Sequence, residues 1–192
     1  MSGQLIQSLR ECGAVFDRLG IPYAVMGGVA VRAYAVPRPT FDVDFTLILP
    51  RERLAELFAA LEELGYTVPD AYRAGWVDTV SGMSLVKARF YVGEQGVDVD
   101  MFLAESAFQR SLMSRRRKDL VDDVETWIVS AEDLVLLKLI AARPRDLIDV
   151  ADIFFIQGRL DTDYLRHWAE SLGVLANLER VLAEAAGNDD RP

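Results

Sequence analysis

Two carboxylates lie two residues apart in the apolar stretch "RPTFDVDFTLIL", whose β-branched and aromatic residues predict a strand. On a strand, residues i and i+2 project from the same face, so Asp42 and Asp44 would stand about 7 Å apart along the chain. Bare carboxylates in that position repel each other, and a divalent cation removes the repulsion because Mg²⁺ selects hard oxygen ligands. The pair therefore predicts either a metal site or an edge strand that turns both acids to water.

A second acidic strand strengthens the metal interpretation. Asp98 and Asp100 repeat the spacing in "GVDVDMFL", and pairing of this strand with the first would bring three or four carboxylates together. Such a cluster requires metal, and two-metal phosphoryl-transfer sites are built in this way. Asp100 is the better ligand candidate because apolar strand continues beyond it, whereas Asp98 lies next to a turn and can simply be solvated.

A diglycine precedes the first acidic strand. Gly27 and Gly28 end the short apolar strand "IPYAVMGG" and open an Ala-rich segment that is predicted to be helical. Glycine lets the backbone approach a ligand closely, and a helix N-terminus offers free N–H groups to a phosphate. An ordinary tight turn is the alternative. Followed by Asp42 and Asp44, the diglycine predicts a phosphate binder and a metal binder in succession.

A lysine in an apolar helix gives a further candidate. Lys138 lies within "LVLLKLIAA", where it either faces a cleft or extends from a solvated helix edge, since the neighbouring leucines can form the buried stripe without it. Asp146 and Asp149 follow on one face of the helix that resumes at Pro144. Asp146 can equally cap that helix.

Hydrophobic periodicity and turn residues predict the elements that must position these side chains. They alternate between helix and strand through the first two thirds of the chain. In order, they are helix 4–19, strand "IPYAVM", short helix "VAVRAYAV", strand "TFDVDFTLIL", helix "RERLAELFAALEELG", a hairpin of "SLVKARFYV" and "VDVDMFL" around "GEQG", and strand "ETWIVS".

The last third of the chain is predicted to be helical. A helix begins at Ser130 with the capping-box partner Asp133, breaks at Pro144, resumes, and is followed by two more helices and a frayed tail, "NDDRP". The whole is therefore an α/β (α+β) fold with one small mixed sheet flanked by helices. We divide it into a sheet core, residues 1–129, and a helical part, residues 130–192, packed on that core as one compact unit.

Composition restricts the class of protein. The 192 residues are 51% hydrophobic and 27% charged, as in soluble globular domains. No apolar run reaches the roughly 20 residues that span a bilayer, and the first residues lack the basic start of a signal peptide. Cys12 is the sole cysteine, which excludes an intramolecular disulfide. We therefore expect a cytoplasmic protein without a membrane partner.

Charge makes tight non-specific binding to nucleic acid improbable. The net charge is −9 and the pI is near 4.7, whereas such binding depends on neutralising phosphates. The basic cluster Arg115–Lys118 is predicted to be a solvated loop, although it can also offer RNA a small surface. His167, the sole histidine, is predicted to be a surface helix residue, so a histidine general base has little support.

The motifs, in this order, resemble the polymerase-β-like nucleotidyltransferase superfamily. "GGVAVRAYAVPRPTFDVD" is similar to its Gly-Gly, spacer, Asp-x-Asp signature, and "RPT" resembles the Arg-x-Thr of its small bacterial members. "SAEDLVLLKLIAARPRDLIDV" is similar to a later motif in which a helix lysine precedes an Arg-Asp-x-x-Asp element. The resemblance covers residues 20–156 and extends to AbiE-type abortive-infection toxins.

The resemblance implies a metal-dependent transfer of a nucleoside monophosphate from a nucleoside triphosphate to a hydroxyl. Gly27 and Gly28 would hold the triphosphate, and Asp42 and Asp44 would ligate Mg²⁺ (or Mn²⁺). Asp100 would be the third carboxylate, as a ligand and as the activator of the acceptor hydroxyl. The acceptor implied is an RNA 3′ end, a protein hydroxyl or a small molecule such as an antibiotic, and a toxin role would add an antitoxin partner.

Lys138 is implied to reach the phosphates, in a catalytic role. Other residues are implied to contact the nucleotide or to orient Lys138: Arg38, Thr40, Arg143 or Arg145, Asp146 and Asp149. As acceptors within the protein, Ser81 and Ser84 are candidates by sequence proximity only.

Two other functions fit the same residues. One is a catalytically idle module that binds a nucleotide or a partner, although an idle site need not keep three carboxylates and Lys138. The other is a metal-dependent phosphohydrolase, which shares the acids and would release phosphate without transfer.

Overall fold

A computed structural model describes residues 1–73, 75–79, 81–92 and 95–189. In this part of the chain, eight α-helices and eight strands form the fold. They are α1 (Gly3–Arg18), β1 (Tyr23–Met26), α2 (Gly27–Tyr34), β2 (Asp42–Leu47), α3 (Leu54–Glu62), β3 (Tyr66–Thr67), β4 (Trp76–Val77), β5 (Ser84–Val92), β6 (Gln95–Leu103), α4 (Ala107–Arg115), β7 (Arg117–Val121), β8 (Val124–Ile128), α5 (Ala131–Ala141), α6 (Pro144–Gln157), α7 (Thr162–Ser171) and α8 (Leu175–Asp189).

The strands form one mixed sheet. Its order is β3-β5-β6-β2-β1-β8-β7, and the short β4 also pairs with β5. The β2–β6 and β1–β8 pairs are parallel and the other pairs are antiparallel. This confirms the predicted small mixed sheet flanked by helices with a helical C-terminal third, α5 to α8.

Strand β2 shows how the sequence separates core from site. Val43, Phe45 and Leu47 alternate with the acids and are fully buried, and the Phe45 ring lies 5.0 Å from the ring of Phe16 on α1. Burying each such side chain stabilises the fold by about 1.5–3 kcal/mol. Because side chains alternate across a strand, the same packing turns Asp42 and Asp44 to the opposite face.

The basic cluster Arg115–Lys118 is not the predicted loop, although Arg117 and Lys118 are exposed to solvent as predicted. It joins the end of α4 to the start of β7, and its cations are engaged by neighbouring acids and rings. The guanidinium of Arg115 lies 3.0 Å from Glu132 and 3.9 Å from the Tyr164 ring centroid. The other contacts are Arg116 over Trp127, Arg117 with Asp119, and Lys118 with Glu125. The cluster therefore offers a poor surface for RNA.

Other sequence predictions differ from the structure in detail. Helix α4 was not predicted, although Ser106 and Gln109 form a complete capping box that signals its start. Of the predicted turn "GEQG", Gln95 and Gly96 belong to β6, and the other two residues lie outside the described ranges. The predicted frayed tail is wrong for Asn188 and Asp189, which continue α8, and residues 190–192 are likewise outside those ranges.

The C-terminal helices pack on the sheet core through α5, which contacts α2, α6 and α7. Buried residues of both parts, including Leu134 on α5 and Ile153 on α6, belong to one continuous hydrophobic cluster. Within the described ranges, no helix combines the length and apolar character that crossing a bilayer requires.

Candidate active site

The parallel pairing of β2 and β6 brings the two acidic strands into register. Asp42 faces Asp98, and Asp44 faces Asp100. On the other side of β2, Asp44 pairs with Met26, the residue before the diglycine. The predicted pairing of the acidic strands is therefore confirmed, and it places the start of α2 beside the carboxylates.

Gly27 is required by this close approach. Its φ is +63°, and a Cβ at this position would lie only 1.9 Å from Oδ2 of Asp44. A Cβ on Gly28 would lie 2.5 Å from Oγ1 of Thr40. Helix α2 begins at Gly27, so the first N–H groups of the helix have no intrahelical partner and can face an anion.

The carboxylate of Asp44, on β2, lies in an environment that disfavours its charged form. Burial, with repulsion from Asp42 and Asp100, raises the pKa of Asp44 to about 7. Asp42 accepts a hydrogen bond of 2.8 Å from the Thr40 hydroxyl. Binding of a cation would relieve the repulsion among these carboxylates.

Lys87 is a site residue that the sequence analysis missed. It lies directly opposite Asp100 across the β5–β6 pair, and its Nζ donates to Oδ2 of Asp100 at 2.7 Å. Oδ1 of Asp100 is buried and has no hydrogen-bond partner in the described part of the chain. Burial raises the pKa of Asp100 even beside this ammonium group. Lys87 thus fixes one carboxylate oxygen and leaves the other available.

A metal site is incompletely assembled in this arrangement. Among residues 1–73, 75–79, 81–92 and 95–189, no three Asp, Glu, His or Cys side chains form a group ready to hold a metal ion. The donor chemistry nevertheless suits a hard cation, because Asp100 keeps an unpartnered oxygen and the charged form of Asp44 is disfavoured by burial and by two like charges. The other oxygen of Asp100 is held by Lys87.

Lys138 is buried, with 6% of its surface exposed, so the predicted alternative of a solvated helix edge is wrong. Its Nζ lies 2.8 Å from Oδ1 of Asp146 and 2.7 Å from Oδ2 of Asp149. The alternative of Asp146 as a helix cap is also wrong, since Arg143 is the N-cap residue of α6 and Asp146 binds Lys138.

Asp149 holds a second cation in the same network. The Arg38 guanidinium donates to both its oxygens, at 2.6 and 2.7 Å. Although burial acts to raise it, hydrogen bonds from Arg38 and Lys138 keep the pKa of Asp149 below its usual value. Asp149 does not line the cleft itself, so it can act there only by positioning the two cations.

These elements enclose a cleft of about 710 Å³. Exposed Arg143 and Arg145 line its rim at the break between α5 and α6. Ser81 also lines the cleft, whereas Ser84 lies outside it and bonds to Arg51 and Glu105. The other predicted site residues on its walls are Gly27, Gly28, Arg38, Thr40, Asp42, Asp44, Asp100, Lys138 and Asp146.

Two candidates lie away from the cleft. Asp98 is partly exposed and pairs with Arg89, whose guanidinium lowers the pKa of the carboxyl. His167 is exposed on α7 with its ring 5.2 Å from that of Trp168, as predicted for a surface helix residue.

Comparison with protein families decides the class. A family model described as "nucleotidyltransferase of unknown function (DUF6036)" matches residues 4–181. The chain belongs to this nucleotidyltransferase family. The predicted superfamily is thereby confirmed, whereas the likeness to AbiE-type toxins stays a prediction. No curated protein sequence matches the chain.

Solved structures show the same fold at low sequence identity. The antibiotic-resistance factor ANT(2″)-Ia aligns with a TM-score of 0.57 and 19% identity over 98% of both chains, and a second structure of it holds adenylyl-2″-tobramycin (TM-score 0.55, 20% identity, 92% and 97% coverage). The lincosamide antibiotic adenylyltransferase LnuA, bound to lincomycin, gives 0.51 and 16% over 81% of this chain and 98% of its own. A putative nucleotidyltransferase from Thermotoga maritima gives 0.52 and 12%, over 89% and 96%.

The substitution Gly27→Ala should disrupt the site more than its backbone strain explains. Gly20 has nearly the same φ, +62°, but a Cβ there would meet nothing within 4 Å, so Gly20→Ala measures the strain alone. We expect Gly27→Ala to lose about 1–3 kcal/mol more in free energy of unfolding than Gly20→Ala, because Asp44 must move. Denaturant titration of both variants checks this, and equal losses would contradict it.

Asp44→Asn should stabilise the metal-free protein in a pH-dependent manner. The pKa of Asp44 is raised from 3.8 to about 7 on folding, so the folded state holds the extra proton and loses stability as pH rises through that window. The advantage of asparagine should therefore be small near pH 4 and reach at most about 4 kcal/mol above pH 7. Urea unfolding in EDTA measures it.

Asp98→Asn is the control for this measurement. The pKa of the Asp98 carboxyl is lowered in the folded state, so this substitution should reduce the free energy of unfolding above about pH 4. A benefit of Asp44→Asn that is the same at every pH would show that the charge of Asp44 is not the cause.

Lys87→Met should increase the affinity of the nucleotide-free protein for Mn²⁺. The ammonium of Lys87 competes with a cation for Asp100, and losing a pair of about 1 kcal/mol gives roughly a fivefold change in affinity. Lys118→Met, which removes a lysine paired with Glu125 on the far strands β7 and β8, should leave the affinity unchanged. Free Mn²⁺ measured by electron paramagnetic resonance tests both variants, and weaker binding in Lys87→Met would refute the competition.

Proposed function

We propose that the protein is an enzyme that transfers a nucleoside monophosphate from a nucleoside triphosphate to a hydroxyl acceptor. The observation that carries this proposal is the register of β2 and β6, which sets Asp44 beside Asp100 and against the glycine start of α2. Membership in a nucleotidyltransferase family supports it.

The nucleotide phosphates would bind between α2 and the α5–α6 junction. The N–H groups of Gly27 and Gly28 supply a helix N-terminus, and Lys138 supplies a cation held in place by two aspartates. Arg143, which is exposed on the rim of the cleft, adds a positive charge that would attract the phosphates. Arg38 is fixed by Asp149 and directs its remaining surface to the cleft, beside Thr40 on the wall.

A divalent cation, Mg²⁺ or Mn²⁺, would be held by Asp42 and Asp44 with Asp100, and would neutralise the charge that develops on the phosphates. The two β2 carboxylates project from one strand face and line the same cleft. Asp100 stands directly opposite Asp44 on the neighbouring strand.

Asp100 would also accept the proton of the acceptor hydroxyl. Its Oδ1 is buried and unpartnered, while Lys87 restrains Oδ2 and so fixes the plane of the carboxylate. The acceptor oxygen then bonds to the α-phosphorus as the bond to the bridging oxygen breaks, and pyrophosphate leaves towards Lys138 and the Gly27–Gly28 N–H groups. Such a site acts mainly by position and electrostatics.

The acceptor remains one of three classes: an RNA 3′ end, a protein hydroxyl or a small molecule. Structural similarity to enzymes named for antibiotic adenylylation supports the last class. A toxin role with an antitoxin partner is retained as the further possibility that the AbiE-type resemblance raised.

Label transfer tests the proposed activity. The protein incubated with Mg²⁺ and each α-³²P-labelled nucleoside triphosphate should release pyrophosphate and label a cellular fraction. We expect Asp42→Asn to reduce transfer by roughly 10²-fold or more, because a cation ligand is lost. Asp98→Asn, on the same strand pair but outside the cleft, should retain activity.

The outcomes separate the rival functions. Nucleotide binding without transfer to any fraction would indicate an idle binding module. Release of inorganic phosphate without transfer would indicate a phosphohydrolase, and failure to bind any nucleotide in the presence of metal would remove the enzyme hypothesis at its first step.

A further inference from the structure

The three carboxylates divide the cleft into two chemically different ends. The end near α2 and the α5–α6 junction is cationic and carries Arg38, Lys138, Arg143 and Arg145. The opposite end, at β4 and β5, is mainly aromatic and apolar, and its aromatic and apolar lining residues are Tyr72, Trp76, Met83, Leu85 and Phe102.

Strand order tells which reactant each end receives. Resting on the transfer proposed above, the attacking and leaving oxygens must lie in line on opposite sides of the α-phosphorus. Pyrophosphate is strongly anionic and requires the cationic end. The acceptor must therefore enter from the other side, across β6 and β5, where Asp100 stands between the phosphorus and the aromatic lining.

The aromatic end has an open ring surface. Trp76 lines the cleft with 40% of its surface exposed, and its ring lies 6.1 Å from that of Tyr72 in an edge-to-face arrangement. Exposed aromatic rings next to an apolar floor suit a planar or apolar ligand face, since stacking adds about 0.5–1.5 kcal/mol to area burial.

The charged residues at this end restrict the net charge of the ligand that it can bind. Among the described residues that line this end, Lys87 is the only cation, and Asp100 already holds it at 2.7 Å. Asp78 adds a carboxylate there, which accepts from the backbone N–H and the hydroxyl of Ser81. A phosphodiester chain would find no available positive charge at this end, whereas a neutral or cationic compound needs none.

We propose that Tyr72, Trp76 and Asp78 form the acceptor subsite, and that the acceptor is a small, neutral or cationic hydroxyl compound with a planar or apolar face. A cleft of about 710 Å³ falls in the range of small-molecule sites, roughly 300–1,000 Å³. The subsite presents the hydroxyl of that compound to Oδ1 of Asp100.

Nucleotide binding in the Trp76→Ala variant tests which reactant uses the aromatic end. Non-hydrolysable α,β-methylene nucleoside triphosphates with Mg²⁺ should bind the variant within about twofold of the wild-type dissociation constant. Phe155→Ala, which removes a ring that is 88% exposed on α6 outside the cleft, is the matched control. Tenfold weaker nucleotide binding in Trp76→Ala, but not in Phe155→Ala, would show that the Trp76 ring holds the nucleobase. This result would overturn the assignment.

Fragment binding tests the acceptor chemistry in the same nucleotide-loaded protein. Saturation-transfer NMR with a library of hydroxyl-bearing aromatic fragments, sorted into neutral, cationic and anionic sets, should give hits in the first two sets. The affinity of these hits should fall at least about fivefold in Trp76→Ala. In Asp78→Asn the same fall is expected for the cationic set, and Phe155→Ala should leave the affinity of all hits unchanged.

Three results would overturn the proposal: no fragment binds the loaded wild-type protein, fragments bind Trp76→Ala as well as wild type, or a ribo-oligonucleotide with a free 3′-hydroxyl binds in a Trp76-dependent manner instead. Wild-type protein that binds no nucleotide at all would instead refute the transfer reaction on which this subsite depends. The two failures are therefore distinguishable.

Discussion

Burial of the Asp44 carboxylate, together with repulsion from Asp42 and Asp100, is the constraint around which the site is arranged. The raised pKa of Asp44 corresponds to at most about 4 kcal/mol of unfavourable free energy at neutral pH. The opposite face of β2 buries Val43, Phe45 and Leu47, and each contributes about 1.5–3 kcal/mol. One strand therefore carries both the cost and its compensation.

The sequence predicted the elements that local pattern specifies. The period-2 alternation of β2 and β6, the glycine start of α2 and the proline break before α6 each follow from the residues themselves. Side-chain alternation also predicted that Asp42 and Asp44 share a face. The short strands β3 and β4 lack such a pattern, since two residues cannot establish a period.

Long-range register was the part that the sequence could not supply. A four-residue turn "GEQG" would set Val92 opposite Val97, and Lys87 would then face Phe102. The strands instead pair from Val92 and Gln95, a shift of two residues that sets Lys87 opposite Asp100. Helical spacing likewise could not show that Lys138 and Arg38, a hundred residues apart, share one carboxylate of Asp149.

The shared carboxylate of Asp149 also bears on how such a protein can change over evolutionary time. Arg38 belongs to the segment before β2, and Lys138 and Asp149 belong to the C-terminal helices. An N-terminal half recombined with foreign helices would leave the partly exposed guanidinium of Arg38 without the carboxylate that fixes it. Exchange of these two parts between relatives is therefore disfavoured at this junction, because Arg38 and Lys138 depend on the same carboxylate.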